Sequence, residues 1–170
     1  MGRLSPTLTG ASIELRPTTL GDWDALYAVA SDPALWALHP AHDRWRKPVF
    51  RAYFDDALSQ PGALTVRENG TGRVIGASRF RPAPAYDAVE IGWTFLSRDH
   101  WGGATNAEMK RLMLDHVFGF GTRAVFVVGE GNLRSRRALE KIGARATEHS
   151  EMRRMAGAQV RHLIYAIDRA

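Results

Sequence analysis

The sequence of 170 residues contains no cysteine. This absence excludes disulfide bonds, a catalytic thiol and any zinc or iron–sulfur site built on cysteine ligands. Long hydrophobic runs are missing as well, since the longest clearly apolar stretch, Ala124–Val128, is far shorter than the roughly 20 residues that span a bilayer. Residues 1–15 lack the basic and then apolar layout of a signal peptide. We therefore expect a cytoplasmic protein with no membrane partner.

Lysine is scarce, because Lys47, Lys110 and Lys141 are the only lysines among 23 basic residues, and the formal net charge is +5. Arginine binds phosphate and carboxylate groups in a bidentate way better than lysine does. The bias fits a polyanionic ligand, and it fits a GC-rich genome equally well. The chain has no nucleic-acid reader motif and no basic stripe interleaved with aromatic residues, so we expect no specific nucleic-acid partner.

The composition is that of a globular protein, with 45% hydrophobic and 24% charged residues. The length suits one domain, and no linker or repeat divides residues 1–170. Hydrophobic periodicity predicts the element order βααβββαβαββ, which is an α+β (mixed α/β) fold. The predicted strands are Ser12–Arg16, Ala63–Glu68, Arg73–Arg81, Ala88–Leu96, Ala124–Val128, Arg145–Met155 and Gln159–Ile167. The predicted helices carry Trp23–Ala30 and Trp45–Leu58, run from just after Gly103 to about Phe118, and cover Leu133–Ile142.

The strand that precedes the third helix alternates cleanly in polarity. This period of two predicts that Val89, Ile91, Trp93 and Phe95 share one face of the sheet. Glu90 would then point to the opposite face.

A loop of small residues, Trp101–Ala107, connects this strand to the third helix. The first N–H groups of a helix have no intrahelical partner and carry the positive end of its dipole. Small side chains at Gly102, Gly103 and Ala104 would let an anion approach the main chain, so the loop could hold a pyrophosphate. An ordinary tight turn is the alternative. Neither a Walker A motif nor a Gly-x-Gly-x-x-Gly fingerprint is present.

A second motif follows the apolar strand Ala124–Val128, where Asn132 precedes a helix that carries Ser135. A purely structural interpretation of Asn132 is that it caps the N-terminus of this helix. Similarly, Ser135 could be a local cap instead of a functional hydroxyl.

Together the two segments resemble the GNAT superfamily of N-acetyltransferases. The first resembles its acyl-CoA pyrophosphate loop, Gln/Arg-x-x-Gly-x-Gly/Ala, and the second resembles its Asn-x-x-Ser/Ala…Glu-Lys-x-Gly helix. The similarity covers nearly the whole chain, through Ile13–Pro17, Asp32–Trp36 and Ala138–Ala144. Within the superfamily the chain is most similar to the branch that acetylates the N-terminal alanine or serine of ribosomal proteins. The resemblance implies a mixed, mostly antiparallel sheet flanked by helices.

The sequence departs from the family pattern at four positions. Trp101 occupies the Gln/Arg position, Ala104 replaces the central glycine and Asn106 replaces the final Gly/Ala. The position where many members carry a tyrosine general acid is Leu139. In the ribosomal-protein branch a serine is thought to take that part, and Ser135 matches it.

The resemblance implies direct transfer of an acetyl group from acetyl-CoA to a primary amine, either a protein N-terminus or a small-molecule amine, in a ternary complex. In that chemistry Glu90 is the candidate base, Ser135 would donate to the departing thiolate, and Asn132 would orient the thioester. A half-exposed Glu90 paired with an arginine is the alternative. A catalytically weak acyl-CoA sensor also remains open because of Leu139.

The resemblance further assigns a coenzyme surface and an acceptor surface. Two histidines, His39 and His42, without a third ligand do not make a metal site, so we expect no metal. The chain would act as a monomer or a homodimer. The acceptor residues would be Trp36, His39 and Trp45. The coenzyme residues would be Phe95, Leu96, Ser97, Trp101, Gly102, Gly103, Ala104, Thr105, Asn106, Ala107, Asn132 and Arg137.

Overall fold

Eight strands and four α-helices make up the computed structural model, which describes residues 3–170 of the chain. The strands are β1 (Leu8–Thr9), β2 (Ile13–Pro17), β3 (Ala63–Glu68), β4 (Val74–Ala83), β5 (Ala88–Leu96), β6 (Arg123–Gly129), β7 (Arg145–Met155) and β8 (Ala158–Asp168). The helices are α1 (Trp23–Ala30), α2 (Lys47–Ser59), α3 (Thr105–Phe118) and α4 (Leu133–Lys141).

All the strands join one sheet in the order β1-β2-β3-β4-β5-β6-β8-β7. Each neighbouring pair is antiparallel except β5 and β6, which are parallel. The predicted fold class and element order are confirmed. The one strand that the periodicity missed is β1, because two residues are too few to show an alternation.

Helix α2 begins two residues later than predicted. Arg46 takes the N-cap position and Pro48 lies in the first turn, where a missing N–H costs nothing. Trp45 therefore precedes the helix and remains 40% exposed.

The two faces of the sheet have separate apolar cores. Helices α3 and α4 cover one face, where their side chains pack against β2 to β6 and β8; this core includes Leu15, Ile91, Leu96, Met109, Met113, Val117, Phe126, Leu139 and Tyr165. Helices α1 and α2 cover part of the other face, with a core of Leu26, Ala30, Leu35, Trp36, Phe50, Phe54, Ala77 and Phe95.

Strand β5 contains a bulge that breaks the predicted alternation. Arg79 pairs with Gly92 and Ala77 pairs with Phe95, so that Trp93 and Thr94 together oppose a single residue of β4. Trp93 adopts a positive φ of 51°, a conformation that non-glycine residues rarely take. The extra residue reverses the orientation of every side chain that follows it.

The prediction that Ile91, Trp93 and Phe95 share a face is therefore wrong. Ile91 belongs to the core beneath α3, whereas Phe95 belongs to the core beneath α1 and α2. Leu96 returns to the α3 side. Trp93 does not join Ile91 in that core. Its ring packs against the guanidinium of Arg79, which lies 4.7 Å from the ring centroid.

Strands β5 and β6 pair over two residues only. Their register consists of Val89 with Ala124 and Glu90 with Val125, although β5 continues to Leu96 and β6 to Gly129. Beyond Glu90 the two strands diverge and open a cleft in the sheet.

Candidate active site

A cleft of about 660 Å³ lies between the diverging ends of β5 and β6 and reaches the first residues of α3 and α4. Most of the predicted site residues line it. They are Trp36, His39, Glu90, Phe95, Leu96, Trp101, Gly102, Gly103, Asn106, Ala107, Asn132, Ser135 and Arg137. Four predicted residues do not line the cleft, namely Trp45, Ser97, Ala104 and Thr105. The Ser97 hydroxyl instead bonds to the carboxylate of Asp99.

The loop before α3 presents its main chain to open space. A Cβ placed on Gly102 or Gly103 would meet no atom within 4 Å, and Gly102 has a φ of +71° that suits glycine. Within residues 3–170, the N–H groups of both glycines have no hydrogen-bond partner. The indole N–H of Trp101 donates to the carbonyl of Leu96 at 3.0 Å and fixes the loop to the end of β5. These free donors can bind an anion.

Basic side chains of α4 lie across the cleft from this loop. The guanidinium of Arg134 stacks on the Trp101 ring, 3.6 Å from its centroid. Arg137, one turn further along the helix, and Lys141, one turn beyond it, line the same cleft. Unpaired amides and cations therefore face one another, which is the arrangement a pyrophosphate requires.

Asn132 caps the N-terminus of α4, in agreement with the purely structural interpretation. It is 3% exposed, and its Oδ1 accepts a hydrogen bond of 3.4 Å from the Ser135 N–H. Its side-chain nitrogen and the Ser135 hydroxyl make no hydrogen bond within the described chain, so both can serve a ligand. Leu139 is 6% exposed and belongs to the core.

Glu90 is 2% exposed and lies between two arginines. Its Oε2 accepts from Arg81 at 2.8 Å, and its Oε1 accepts from Arg153 at 3.1 Å. Arg153 also contacts Glu151 at 2.7 Å. Glu90 thus borders the cleft with both oxygens engaged by guanidinium groups.

His39 is partly buried at the other side of the cleft. Its Nδ1 accepts from the Ala41 N–H at 2.9 Å, so the ring proton is assigned to Nε2. Desolvation, assisted by the charge of Arg44, lowers the pKa of His39 to about 3, and the ring is therefore neutral near pH 7. It meets the Trp36 ring edge-on at 5.4 Å. Trp36 itself is 1% exposed and is chiefly a core residue.

A family model described as the Acetyltransferase (GNAT) domain matches residues 12–145. The chain belongs to the GNAT family of acetyltransferases. The resemblance carried by the two motifs is thereby confirmed, and acetyl-CoA is the acetyl donor that this family uses.

Solved GNAT structures share this fold at low sequence identity. The acetyltransferase (GNAT family) from Bacillus anthracis is 18% identical, with a TM-score of 0.77 over 96% of this chain and 98% of that chain. A GCN5-related N-acetyltransferase from Brucella melitensis is 21% identical, with a TM-score of 0.78 over 96% of this chain and 78% of that chain. Mycobacterium smegmatis RimJ, in complex with CoA-disulfide, is 19% identical, with a TM-score of 0.73 over 98% of this chain and 88% of that chain. No curated protein matches the sequence.

The cations of this GNAT cleft that the sequence reasoning missed include Arg44 and Lys110. Arg44 lies in a short charged segment that looks like a solvated turn, yet it is only 9% exposed. Lys110 lies beside Met109 in the buried stripe of α3, and a charged residue in an apolar stripe is a signal that could have identified it. Both side chains line the cleft.

Residues 3–170 contain no group of three or more histidine, aspartate or glutamate side chains that could hold a metal ion. None of their helices is both long and apolar enough to span a membrane.

Proposed function

We propose that this GNAT protein transfers the acetyl group of acetyl-CoA to a primary amine by direct attack in a ternary complex. The observation that carries the proposal is the cleft between β5 and β6, which joins a loop of unpaired amides to a chamber lined by polar side chains. Membership of the family supports acetyl transfer, and the cleft supports binding of both substrates side by side.

On the coenzyme side, the pyrophosphate would contact the amides of Gly102 and Gly103. Arg137 would neutralise part of its charge. The pantetheine arm would lie along the edge of β5 near Phe95 and Leu96, where main-chain groups on the β6 side have no ladder partner beyond Glu90. An extended chain with amide groups can pair with such an edge as an added strand does.

The chemistry requires a neutral amine. An α-amine with a reference pKa of about 7.7–8.0 loses its proton far more easily near neutral pH than a lysine side chain at about 10.4. Glu90 would take the proton through a water, because both its oxygens already accept hydrogen bonds from arginines. A weak base of this kind suits a peptide N-terminus or another amine of similar basicity.

The departing thiolate requires a donor. The Ser135 hydroxyl, which has no partner in the described chain, would donate a hydrogen bond to the sulfur, and the Asn132 side-chain nitrogen would bind the thioester or a pantetheine amide. Serine is a hydrogen-bond donor here, not a strong acid.

A catalytically weak acyl-CoA sensor is the second candidate. The buried position of Leu139, where many family members carry a tyrosine acid, favours it. A sensor would bind acetyl-CoA tightly and leave every amine unchanged.

One experiment separates the two candidates. Thiol release from acetyl-CoA would be measured with peptides, amino acids, polyamines and aminoglycosides, while calorimetry measures the affinity for CoA. Turnover of any amine above the hydrolytic background establishes the transferase. Tight CoA binding with no turnover establishes the sensor, and failure to bind CoA contradicts both.

A further inference from the structure

Arg44 is a buried cation without an anionic partner. The residue is 9% exposed, which is close to the exposure of the buried cations Lys110 and Arg79. Its guanidinium makes no ion pair or hydrogen bond within residues 3–170. Arg79, which is buried to a similar extent, pairs with Asp56 at 2.7 Å. A buried charge normally has such a partner, because leaving water is costly.

Two aromatic rings hold Arg44 in place. Its guanidinium carbon lies 5.3 Å from the ring centroid of Trp36 and 4.9 Å from that of Tyr53. Such contacts use the faces of the planar guanidinium and leave the N–H donors at its edges available. Tyr53 is fixed in turn, since its hydroxyl donates to the Trp93 carbonyl at 2.8 Å.

No carboxylate of the described chain forms an ion pair with Arg44, and the charges of Asp43 and Asp56 act on it only from a longer distance. Arg81 and Arg153 are balanced by Glu90 and Glu151, which they contact directly. The neighbouring His39 is neutral near pH 7. The other cations that line the cleft belong to the α3 and α4 side, which the proposed function gives to the coenzyme; they are Lys110, Arg134, Arg137 and Lys141.

We propose that Arg44 binds a carboxylate of the acceptor, so that the substrate is an amine that also carries a carboxylate group. The inference rests on the proposed function and names the substrate class of the same site. A carboxylate matches the fork of N–H donors in a guanidinium and would supply the missing partner. The aromatic walls formed by Trp36 and Tyr53 strengthen that pairing because they exclude water from it.

The test compares acceptors with and without this charge, and each kcat/KM is expressed per neutral amine because a nearby carboxylate also raises the pKa of the amine. One series consists of glycine, β-alanine, 4-aminobutanoate and 6-aminohexanoate, each paired with its own carboxamide. A second series uses C-terminally amidated peptides, in which the side chain carries the sole carboxylate, and pairs Gly-Asp with Gly-Asn and Gly-Glu with Gly-Gln. The chain length at which the acid is preferred also measures the span between the acetyl group and Arg44.

The variant Arg44→Gln removes the charge, and Arg44→Lys keeps it without the planar fork. Arg51→Gln is the matched control, because Arg51 also stacks on an aromatic ring, 4.9 Å from the Trp23 centroid, but is exposed outside the cleft. Calorimetry with CoA checks that each variant retains the coenzyme site.

In the unmodified protein, we expect at least one acid to have a kcat/KM about tenfold or more above its amide. Arg44→Gln should abolish this preference through KM, Arg44→Lys should recover part of it, and Arg51→Gln should retain it. Equal use of acids and amides by the unmodified protein, or an unchanged preference in Arg44→Gln, would overturn the inference. A weaker affinity for CoA in Arg44→Gln would assign Arg44 to the coenzyme phosphates and overturn it as well.

A binding measurement keeps the inference testable if no amine is acetylated. The CoA complex would be titrated with the N-acetyl derivatives of the same acids and amides. Selective binding of the acids that disappears in Arg44→Gln supports the carboxylate site even though the transferase proposal has failed. Binding without selectivity, or no binding, contradicts the carboxylate site.

Discussion

The side-chain nitrogen of Lys110 donates a hydrogen bond of 2.9 Å to the hydroxyl of Thr94, and no carboxylate lies within ion-pair distance in the described chain. Thr94 in turn shares a 2.8 Å hydrogen bond with the Ser78 hydroxyl across the bulge. The lysine therefore lies at one end of a buried series of hydrogen bonds that connects α3 to the sheet. Burial alone lowers the pKa of Lys110 to about 7.

Replacement of Lys110 by methionine should stabilise the protein near neutral pH. The unfolded state binds more protons than the folded state between about pH 7 and the ordinary lysine pKa of 10.5. Stability therefore rises with pH across this window, and the lysine costs most below pH 7. We expect Lys110→Met to increase the free energy of unfolding by at most about 5 kcal/mol below pH 7, with a gain that fades towards pH 10.5.

Urea unfolding of both proteins from pH 6 to pH 10 measures this difference. Lys47→Met, which changes an exposed lysine at the start of α2, is the control. A Lys110→Met variant that is less stable at pH 7, or equally altered at all pH values, would contradict the cost assigned to the buried ammonium group.

The sequence predicted the helices, strands and turns that follow from local residue patterns. It missed the features that depend on contacts with residues from elsewhere in the chain. Both strands of the β3–β4 hairpin were predicted, and the Asn69-Gly70 pair that joins them is a turn signal that acts locally. The bulge at Trp93 could not be predicted from the sequence of β5 alone. It exists because two residues of β5 lie opposite one residue of β4, and that pairing is set only in the folded sheet. Likewise, the environment of Arg44 arises only when Trp36 and Tyr53 meet in the folded chain.

The substitution Gly103→Glu should abolish CoA binding. The new carboxylate would stand where the pyrophosphate is proposed to bind, and the free space around the Gly103 Cβ position allows the side chain without a clash. We expect calorimetry to show a loss of affinity of at least about a hundredfold. Gly21→Glu adds the same charge at another exposed glycine and should leave the affinity unchanged. Retained affinity in Gly103→Glu would place the pyrophosphate elsewhere.

Glu90→Gln separates the role of this carboxylate in catalysis from its role in structure. Loss of the charge leaves Arg81 and Arg153 without their shared partner, so we expect a loss of stability of about 1–3 kcal/mol. If Glu90 also takes the proton, kcat should fall most at low pH while the affinity for acetyl-CoA is unchanged. The matched control is Glu151→Gln, which removes the other partner of Arg153 and should preserve the pH profile of kcat. A pH profile that is also unchanged in Glu90→Gln would remove Glu90 from proton transfer.

Ser135→Ala examines the leaving-group donor. The hydroxyl makes no hydrogen bond in the described chain, so its removal should leave the fold and the KM for acetyl-CoA intact. We expect kcat to fall by about tenfold or more if the hydroxyl stabilises the thiolate. Ser97→Ala, which removes a hydroxyl that bonds to Asp99 outside the cleft, should have no such effect. An unchanged kcat in Ser135→Ala would restrict Ser135 to the first turn of α4.

His39 should make the protein sensitive to acid. Its folded-state pKa of about 3 lies below the ordinary value of 6.5, so the unfolded state binds more protons between these two pH values. Stability is therefore lost as the pH falls through this window, and the ring contributes no such loss above it.

The variant His39→Asn keeps an acceptor for the Ala41 N–H but cannot take up a proton. Between pH 7 and pH 5 we expect it to lose less stability than the unmodified protein, by roughly 1–2 kcal/mol because the ring is only partly buried. Urea unfolding at the two pH values measures the difference, and His42→Asn, at an exposed histidine three residues away, is the control. Equal losses in His39→Asn and the unmodified protein would show that His39 can be protonated in the folded state without cost.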